Sequence, residues 1–150
     1  MQQFYASGLK PVIEKKVLVE KTPTLGICVG HQMLFEKSEE GLEKGLGWLP
    51  GDVIKFDAAK MPATYKIPHM GWTDVVTQNK ATLFKNIAEP RFYMVHSYYA
   101  QCAEELVAAK AEYGYKFVTA VEKDNIFGTQ FHPEKSHKFG MQLFKNFSNL

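Results

Sequence analysis

Gly26-Ile27-Cys28-Val29-Gly30 decides the fold, because it sets a cysteine between two glycines where an apolar run gives way to a helical pattern. A strand that turns sharply into a helix through small residues presents its central side chain above the sheet. The N-terminus of the following helix directs backbone N–H groups towards the turn, which favours the thiolate of Cys28. The alternative is an ordinary buried cysteine in an interior strand. This stretch alone leaves both interpretations open.

A second stretch, Gln130-Phe131-His132-Pro133-Glu134, supplies an imidazole and a carboxylate. Pro133 ends the strand ladder, so His132 is placed to project over the sheet edge. Glu134 follows two positions later and can hold the imidazole in the tautomer that acts as a base. The alternatives are a structural histidine and a surface carboxylate paired with Lys135. Cys28, His132 and Glu134 are therefore the candidate catalytic residues, as nucleophile, base and orienting acid.

The composition of the 150 residues predicts one domain, spanning 1–150, and argues against several classes of protein. The net charge of +2 provides no basic field for a nucleic-acid partner. No apolar run approaches ~18 residues, so no membrane span is expected. Two cysteines cannot form a disulfide framework and the N-terminus does not read as a signal peptide, which predicts a cytoplasmic protein. Neither H-E-x-x-H nor C-x-x-C occurs, so no metal or other cofactor is expected.

The order of the predicted elements indicates an α/β domain with a central sheet. Helices are predicted at both ends, with a loop rich in glycine over residues 38–50 and a turn region over 67–71. A short helix is predicted over residues 81–87. Strands are predicted over 24–29, 52–56, 73–77, 91–99, 106–112, 116–122 and 126–131.

Both motifs together resemble the class I (triad) glutamine amidotransferases, through Gly26-Ile-Cys-Val-Gly-His-Gln32 and Gln130-Phe-His-Pro-Glu134. Within that family, four further stretches resemble the glutaminase subunits of imidazole glycerol phosphate synthase. They are Glu39–Trp48, Ile67-Pro-His-Met-Gly-Trp72, Phe92-Tyr-Met-Val-His-Ser-Tyr-Tyr99 and Ala120–Gly128. The resemblance covers essentially the whole chain and implies a flavodoxin-like central mixed sheet flanked by helices.

The same resemblance implies a reaction and its residues. Cys28 would attack the side-chain amide of glutamine, with the Val29 N–H stabilising the oxyanion, and the ammonia released would pass directly to a partner. That partner would be a cyclase subunit, a (β/α)8 barrel, in a heterodimer of histidine biosynthesis. The substrate's amino-acid end would be held by Gln32, His96, Ser97 and Tyr98. The face towards the cyclase would carry Trp72, Tyr93 and Lys135.

Two features depart from the family pattern. Members of the family carry additional N-terminal strands and a P-G-V-G loop with a second oxyanion donor, and residues 1–25 contain no such loop. The chain is therefore expected to correspond to the family's C-terminal portion, with its missing strand supplied by another segment, replaced by new pairing, or lost at a cost in stability or activity. The second departure is His31, where the subfamily usually has methionine.

Three readings of function remain open on these grounds, beside a generic thiol hydrolase that would leave the stretches around Trp72 and His96 unexplained. The leading one is the glutaminase subunit just described. The same chemistry would also suit an ammonia-supplying subunit for amidination of a sugar. A third reading is a non-catalytic module that retains the partner-binding face and lacks a working oxyanion hole.

Overall fold

A mixed β-sheet forms the centre of the computed structural model, which describes residues 1–78 and 81–150. Within these residues the strands are β1 Thr24–Ile27, β2 Lys37–Ser38, β3 Asp52–Lys55, β4 His69–Thr77, β5 Arg91–His96, β6 Tyr98–Gln101, β7 Val107–Tyr113, β8 Tyr115–Lys123 and β9 Ile126–Thr129. Their order across the sheet is β2-β3-β6-β8-β7-β4-β5, and β9 joins β8 to β1. The predicted α/β fold is confirmed.

The pairing of β1 with β9 places the two sequence motifs side by side. These strands run parallel, with Ile27 opposite Thr129. Since the cysteine motif follows β1 and the histidine motif follows β9, both leave the sheet at the same end. β2 and β3 are also parallel, whereas the remaining pairs are antiparallel. In the described part of the chain, β1 pairs with β9 alone.

Short helices lead into the sheet and one longer helix closes it. The described α-helices are α1 Gln2–Ala6, α2 Lys10–Glu14, α3 Val29–Met33 and α4 His137–Phe147, and a π-helical turn over Lys15–Val19 extends α2. The side chain of Asn125 holds the connection into β1, because its Nδ2 donates to the carbonyls of Val17 at 2.9 Å and Thr22 at 3.0 Å.

Two apolar clusters form the core. One packs aromatic residues beneath α4, with Phe92 stacked on Phe131 at 3.9 Å between ring centroids. The other surrounds Phe35, Leu49 and Val53, which are fully buried. The region between the clusters is occupied by the sheet that carries the candidate residues.

The predicted strand over residues 91–99 is divided in the structure into β5 and β6, and two further predicted elements differ from the observed ones. The predicted turn over residues 67–71 is only partly right, because β4 already begins at His69 and pairs there with His96. The predicted short helix over residues 81–87 is reduced to a 3₁₀ turn over Thr82–Phe84. In both cases long-range packing decides the outcome: strand pairing extends β4, and burial of Leu83 and Phe84 fixes the turn.

Candidate active site

Cys28 lies at a sharp turn between β1 and α3. Its backbone has φ 50° and ψ −107°, a sparsely populated region that occurs where surrounding structure imposes it. A backbone hydrogen bond and the close approach of Gly26 to Gly30 impose this conformation. The Cys28 N–H donates to the Thr129 carbonyl at 2.8 Å, and a Cβ on Gly26 would lie 2.6 Å from the Gly30 carbonyl oxygen. Glycine at position 26 therefore lets the chain fold back on itself and leaves the thiol at the tip of the turn.

The surroundings of Cys28 act on its thiol in opposite directions. Partial burial raises the thiol pKa, because the thiolate loses contact with water, and the charge of Glu134 raises it further. The Val29 N–H points at the sulfur and lowers the pKa, as does the positive charge of Lys135. The pKa of the thiol is therefore set by opposing contributions, of which burial is the largest.

His132 and Glu134 form a direct pair. Nδ1 of His132 lies 2.6 Å from Oε1 of Glu134. A carboxylate can only accept, so Nδ1 carries the proton and Nε2 of the neutral ring keeps a lone pair. Nε2 is buried and has no hydrogen-bond partner among the described residues. The backbone holds the pair in place, because the His132 N–H donates to the Tyr93 carbonyl at 3.0 Å.

A cleft of about 460 Å³ opens beside the turn. Val29 and Gln32 of α3 form its inner side, and α1 together with the loop around residues 37–45 forms its outer side. Two side chains of α1 connect this helix to the loop: Tyr5 donates to the Lys44 carbonyl at 2.8 Å, and Gln2 donates to Glu43 at 3.2 Å. The volume falls within the range of small-molecule sites, about 300–1,000 Å³.

The predicted substrate-binding segment His96-Ser97-Tyr98 joins the site through Gln32. Nε2 of Gln32 donates to the Tyr98 carbonyl at 3.4 Å and to Oε1 of Gln130 at 3.1 Å. Val29 and Gln32 line the cleft, whereas residues 96–98 are absent from its described lining. The structure thus connects the segment to the cleft wall and does not expose it there.

The three residues predicted to face a partner lie next to the His132 segment. Trp72 and Tyr93 are opposite each other on β4 and β5, with ring centroids 6.3 Å apart. The Trp72 ring stacks on His137 at 5.6 Å and remains 40% exposed. Lys135 follows Glu134 in a 3₁₀ turn and is exposed.

His69 and His96 form a buried pair next to Tyr98, and the sequence did not predict this pairing. Nδ1 of His96 donates to the Tyr98 carbonyl at 2.8 Å, so its Nε2 must accept from Nδ1 of His69, 3.2 Å away. Burial lowers the pKa of His69 to about 4 and that of His96 to about 3. Both rings are thus neutral, and their spacing depends on the register of β4 and β5, which no local motif encodes.

Residues 1–78 and 81–150 contain neither a metal-binding cluster nor a membrane-spanning helix. No group of three or more histidine, cysteine, aspartate or glutamate side chains is arranged to hold a metal ion. No helix there is both long enough and apolar enough to cross a bilayer.

Comparison with known proteins identifies relatives along the whole chain. The family model of glutamine amidotransferase class-I matches residues 2–149. Imidazole glycerol phosphate synthase subunit HisH 2 of Pseudomonas aeruginosa is 47% identical, over 100% of this chain and 74% of the relative. Imidazole glycerol phosphate synthase subunit HisH 2 of Methanococcus maripaludis is 51% identical, over 93% of this chain and 69% of the relative. The chain thus spans about three quarters or less of the length of these relatives.

Solved structures resemble the fold. PurLQS from Thermotoga maritima superimposes with a TM-score of 0.67 over 94% of this chain and 67% of that chain, at 21% identity. At this identity the likeness concerns the path of the backbone alone.

Proposed function

The chain belongs to the class I glutamine amidotransferase family, and on that premise we propose that it is a glutaminase subunit of imidazole glycerol phosphate synthase. In this role it hydrolyses glutamine to glutamate and ammonia and supplies the ammonia to a cyclase in histidine biosynthesis. Residues 1–150 act as one glutaminase domain in the cytoplasm. The observation that carries the proposal is the 2.6 Å His132–Glu134 pair beside the strained turn of Cys28.

The reaction begins with attack of the Cys28 thiolate on the side-chain amide carbon of glutamine. The sulfur–carbon bond forms as the carbonyl electrons move onto oxygen, where the Val29 N–H stabilises the negative charge. His132 takes the thiol proton on Nε2 and gives it to the departing nitrogen, which leaves as ammonia. The product of this half-reaction is a thioester between Cys28 and the glutamyl group.

Water completes the reaction. Nε2 of His132 removes a proton from water, and the hydroxide adds to the thioester carbon. The carbon–sulfur bond then breaks, glutamate is released, and Nε2 returns the proton to the sulfur. Glu134 accepts a hydrogen bond from Nδ1 and keeps the proton of the ring there, so that Nε2 serves as acceptor in both half-reactions.

Glutamine is proposed to occupy the cleft between α3 and α1. Val29 and Gln32 lie on its inner wall, next to the nucleophile, which would place the reacting amide inward. Gln32 is tied to the Tyr98 carbonyl, so residues 96–98 would support the amino-acid end of the substrate through Gln32. All the predicted substrate residues thus keep a role, but residues 96–98 act only through Gln32.

The cyclase is proposed to bind the face that carries Trp72, Tyr93 and Lys135. The side chains of Trp72 and Met70 are 40% and 61% exposed on the same strand, and exposed aromatic and methionine side chains are typical of interface centres. The same face adjoins His132 through the Tyr93 carbonyl. Ammonia released at Cys28 would then have a short route to the (β/α)8 barrel of a heterodimer.

The decisive experiment measures glutamate release by the chain alone and with a cyclase subunit of the same synthase. We expect hydrolysis that requires Cys28, so Cys28→Ala should abolish it. Cys102→Ala should retain it, because Cys102 packs against the core cluster around Phe35 and Leu49. Absence of glutamate from folded protein under both conditions would defeat the proposal. Covalent labelling of Cys28 by 6-diazo-5-oxo-norleucine separates the enzyme from a non-catalytic module, and replacing the cyclase by a sugar amidinating synthase tests the remaining alternative.

A further inference from the structure

Gln130 is a fully buried amide that the proposed reaction does not use. It lies two residues before His132, and its backbone N–H donates to the Thr119 carbonyl at 2.8 Å. An unpaired amide in the interior is costly, so the partners of this side chain are informative. The acceptor Oε1 is bound by Gln32, and the donor Nε2 lies 3.9 Å from the Cys28 sulfur.

A chain of hydrogen bonds fixes which end of the Gln130 amide faces the sulfur. The Tyr98 carbonyl can only accept, so the group of Gln32 that faces it must be the amino group. The second hydrogen of that amino group points to Gln130, which must therefore present its oxygen to Gln32. The amino group of Gln130 is then turned towards Cys28.

The start of this chain is itself anchored. The Tyr98 carbonyl also accepts from Nδ1 of His96, whose Nε2 is bound by His69. Nε2 of His69 in turn pairs with the hydroxyl of Thr73 at 2.8 Å. Every member has a defined donor or acceptor role, so the orientation of Gln130 follows from the arrangement of β4, β5 and β6.

We propose that Gln130 is a positioning residue that donates an N–H hydrogen bond to the Cys28 sulfur and stabilises the thiolate before glutamine binds. This inference rests on the proposed function, because it assigns a role within the same site. The half-buried thiolate has one backbone donor, the Val29 N–H, and Gln130 supplies a second from the opposite motif. An N–H donor stabilises the charged sulfur more than the neutral thiol.

The test follows alkylation of Cys28 by iodoacetamide from pH 6 to 10, in a Cys102→Ala background where Cys28 is the remaining thiol. Gln130→Met keeps the length of the side chain and removes the donor. We expect its alkylation profile to shift upwards by about one pH unit, which is about tenfold less thiolate at neutral pH. Thr119→Val is the matched control, because the hydroxyl of this buried residue on β8 has no hydrogen-bond partner among the described residues, and its profile should not move.

Two outcomes overturn the inference. One is an unchanged profile in folded Gln130→Met protein. If circular dichroism shows that this variant is unfolded, Gln32→Met decides, because it frees the Gln130 amide to rotate and should produce a smaller upward shift. An unchanged profile there also refutes the role. Alkylation needs neither glutamine nor a cyclase, so this result is independent of whether the protein proves to be a glutaminase.

Discussion

Replacing His31 by methionine should remove a specific weakness of the fold in acid. The His31 side chain is fully buried, and neither ring nitrogen has a hydrogen-bond partner among the described residues. Burial, and to a lesser degree the nearby His96, lowers the His31 pKa to about 3. The ring lies against Gly128, where an added Cβ would be 2.3 Å from Nδ1, and Phe35 packs against it edge-on.

The size of the effect follows from the two pKa values. An unfolded histidine takes up a proton near pH 6.5, whereas His31 in the folded protein does so only near pH 3. Between these values the unfolded state binds more protons, so the free energy of unfolding falls as the pH falls, by about 1.4 kcal/mol per unit. From pH 7 to pH 5 the wild type should lose about 2 kcal/mol through this residue, and His31→Met should not.

The assay is urea unfolding at pH 7 and pH 5, followed by the fluorescence of Trp48 and Trp72. The quantity of interest is the difference in unfolding free energy between His31→Met and the wild type, because contributions from the other histidines are common to both proteins. This difference should grow in favour of the variant by about 2 kcal/mol at pH 5. Thr119→Val, which changes a buried group that cannot titrate, should show the same difference at both pH values. A His31→Met difference that does not depend on pH would refute the reasoning.

Three further substitutions test the site and its support. Glu134→Gln should lower kcat for glutamine hydrolysis by about 10²–10⁴-fold, because the amide can stabilise the wrong tautomer of His132; a loss below about threefold in a steady-state assay would contradict the assignment. Gly26→Ala should destabilise the protein by about 1–3 kcal/mol in urea unfolding, whereas Gly30→Ala, whose Cβ would meet nothing within 4 Å, should be tolerated. Asn125→Ala removes two hydrogen bonds to backbone carbonyls and should cost about 1–3 kcal/mol by the same measurement; an unchanged midpoint would show that the connection into β1 is held otherwise.

The local part of the site could be predicted from sequence because its geometry is encoded over a few residues. Gly26 permits the sharp turn at Cys28, and the two-residue spacing between His132 and Glu134 allows their direct pairing. Gln130 carried a weaker signal of the same kind. It precedes His132 by two residues, so alternation along an extended chain places both side chains on one face.

The remainder of the site depends on contacts that are distant in sequence. The His69–His96 pair requires the antiparallel register of β4 and β5, and His69 falls in a stretch whose proline and glycine predict a turn. The buried state of His31 likewise depends on Gly128, which lies on β9. Neither relation has a local pattern, because each is set by which strands become neighbours.

The two sides of the cleft differ in how they are built. Its inner side follows from the β1–β9 ladder, which Cys28 extends through its bond to the Thr129 carbonyl, and the Tyr93 carbonyl holds the backbone of His132. Its outer side is α1 and a surface loop, fastened by the side chains of Gln2 and Tyr5. In the proposed binding mode, the reacting groups and the outer wall that contacts the substrate therefore belong to separate parts of the structure. Variation confined to the outer wall can change which amide is admitted while the reacting groups keep their alignment, so a search for altered selectivity should begin there.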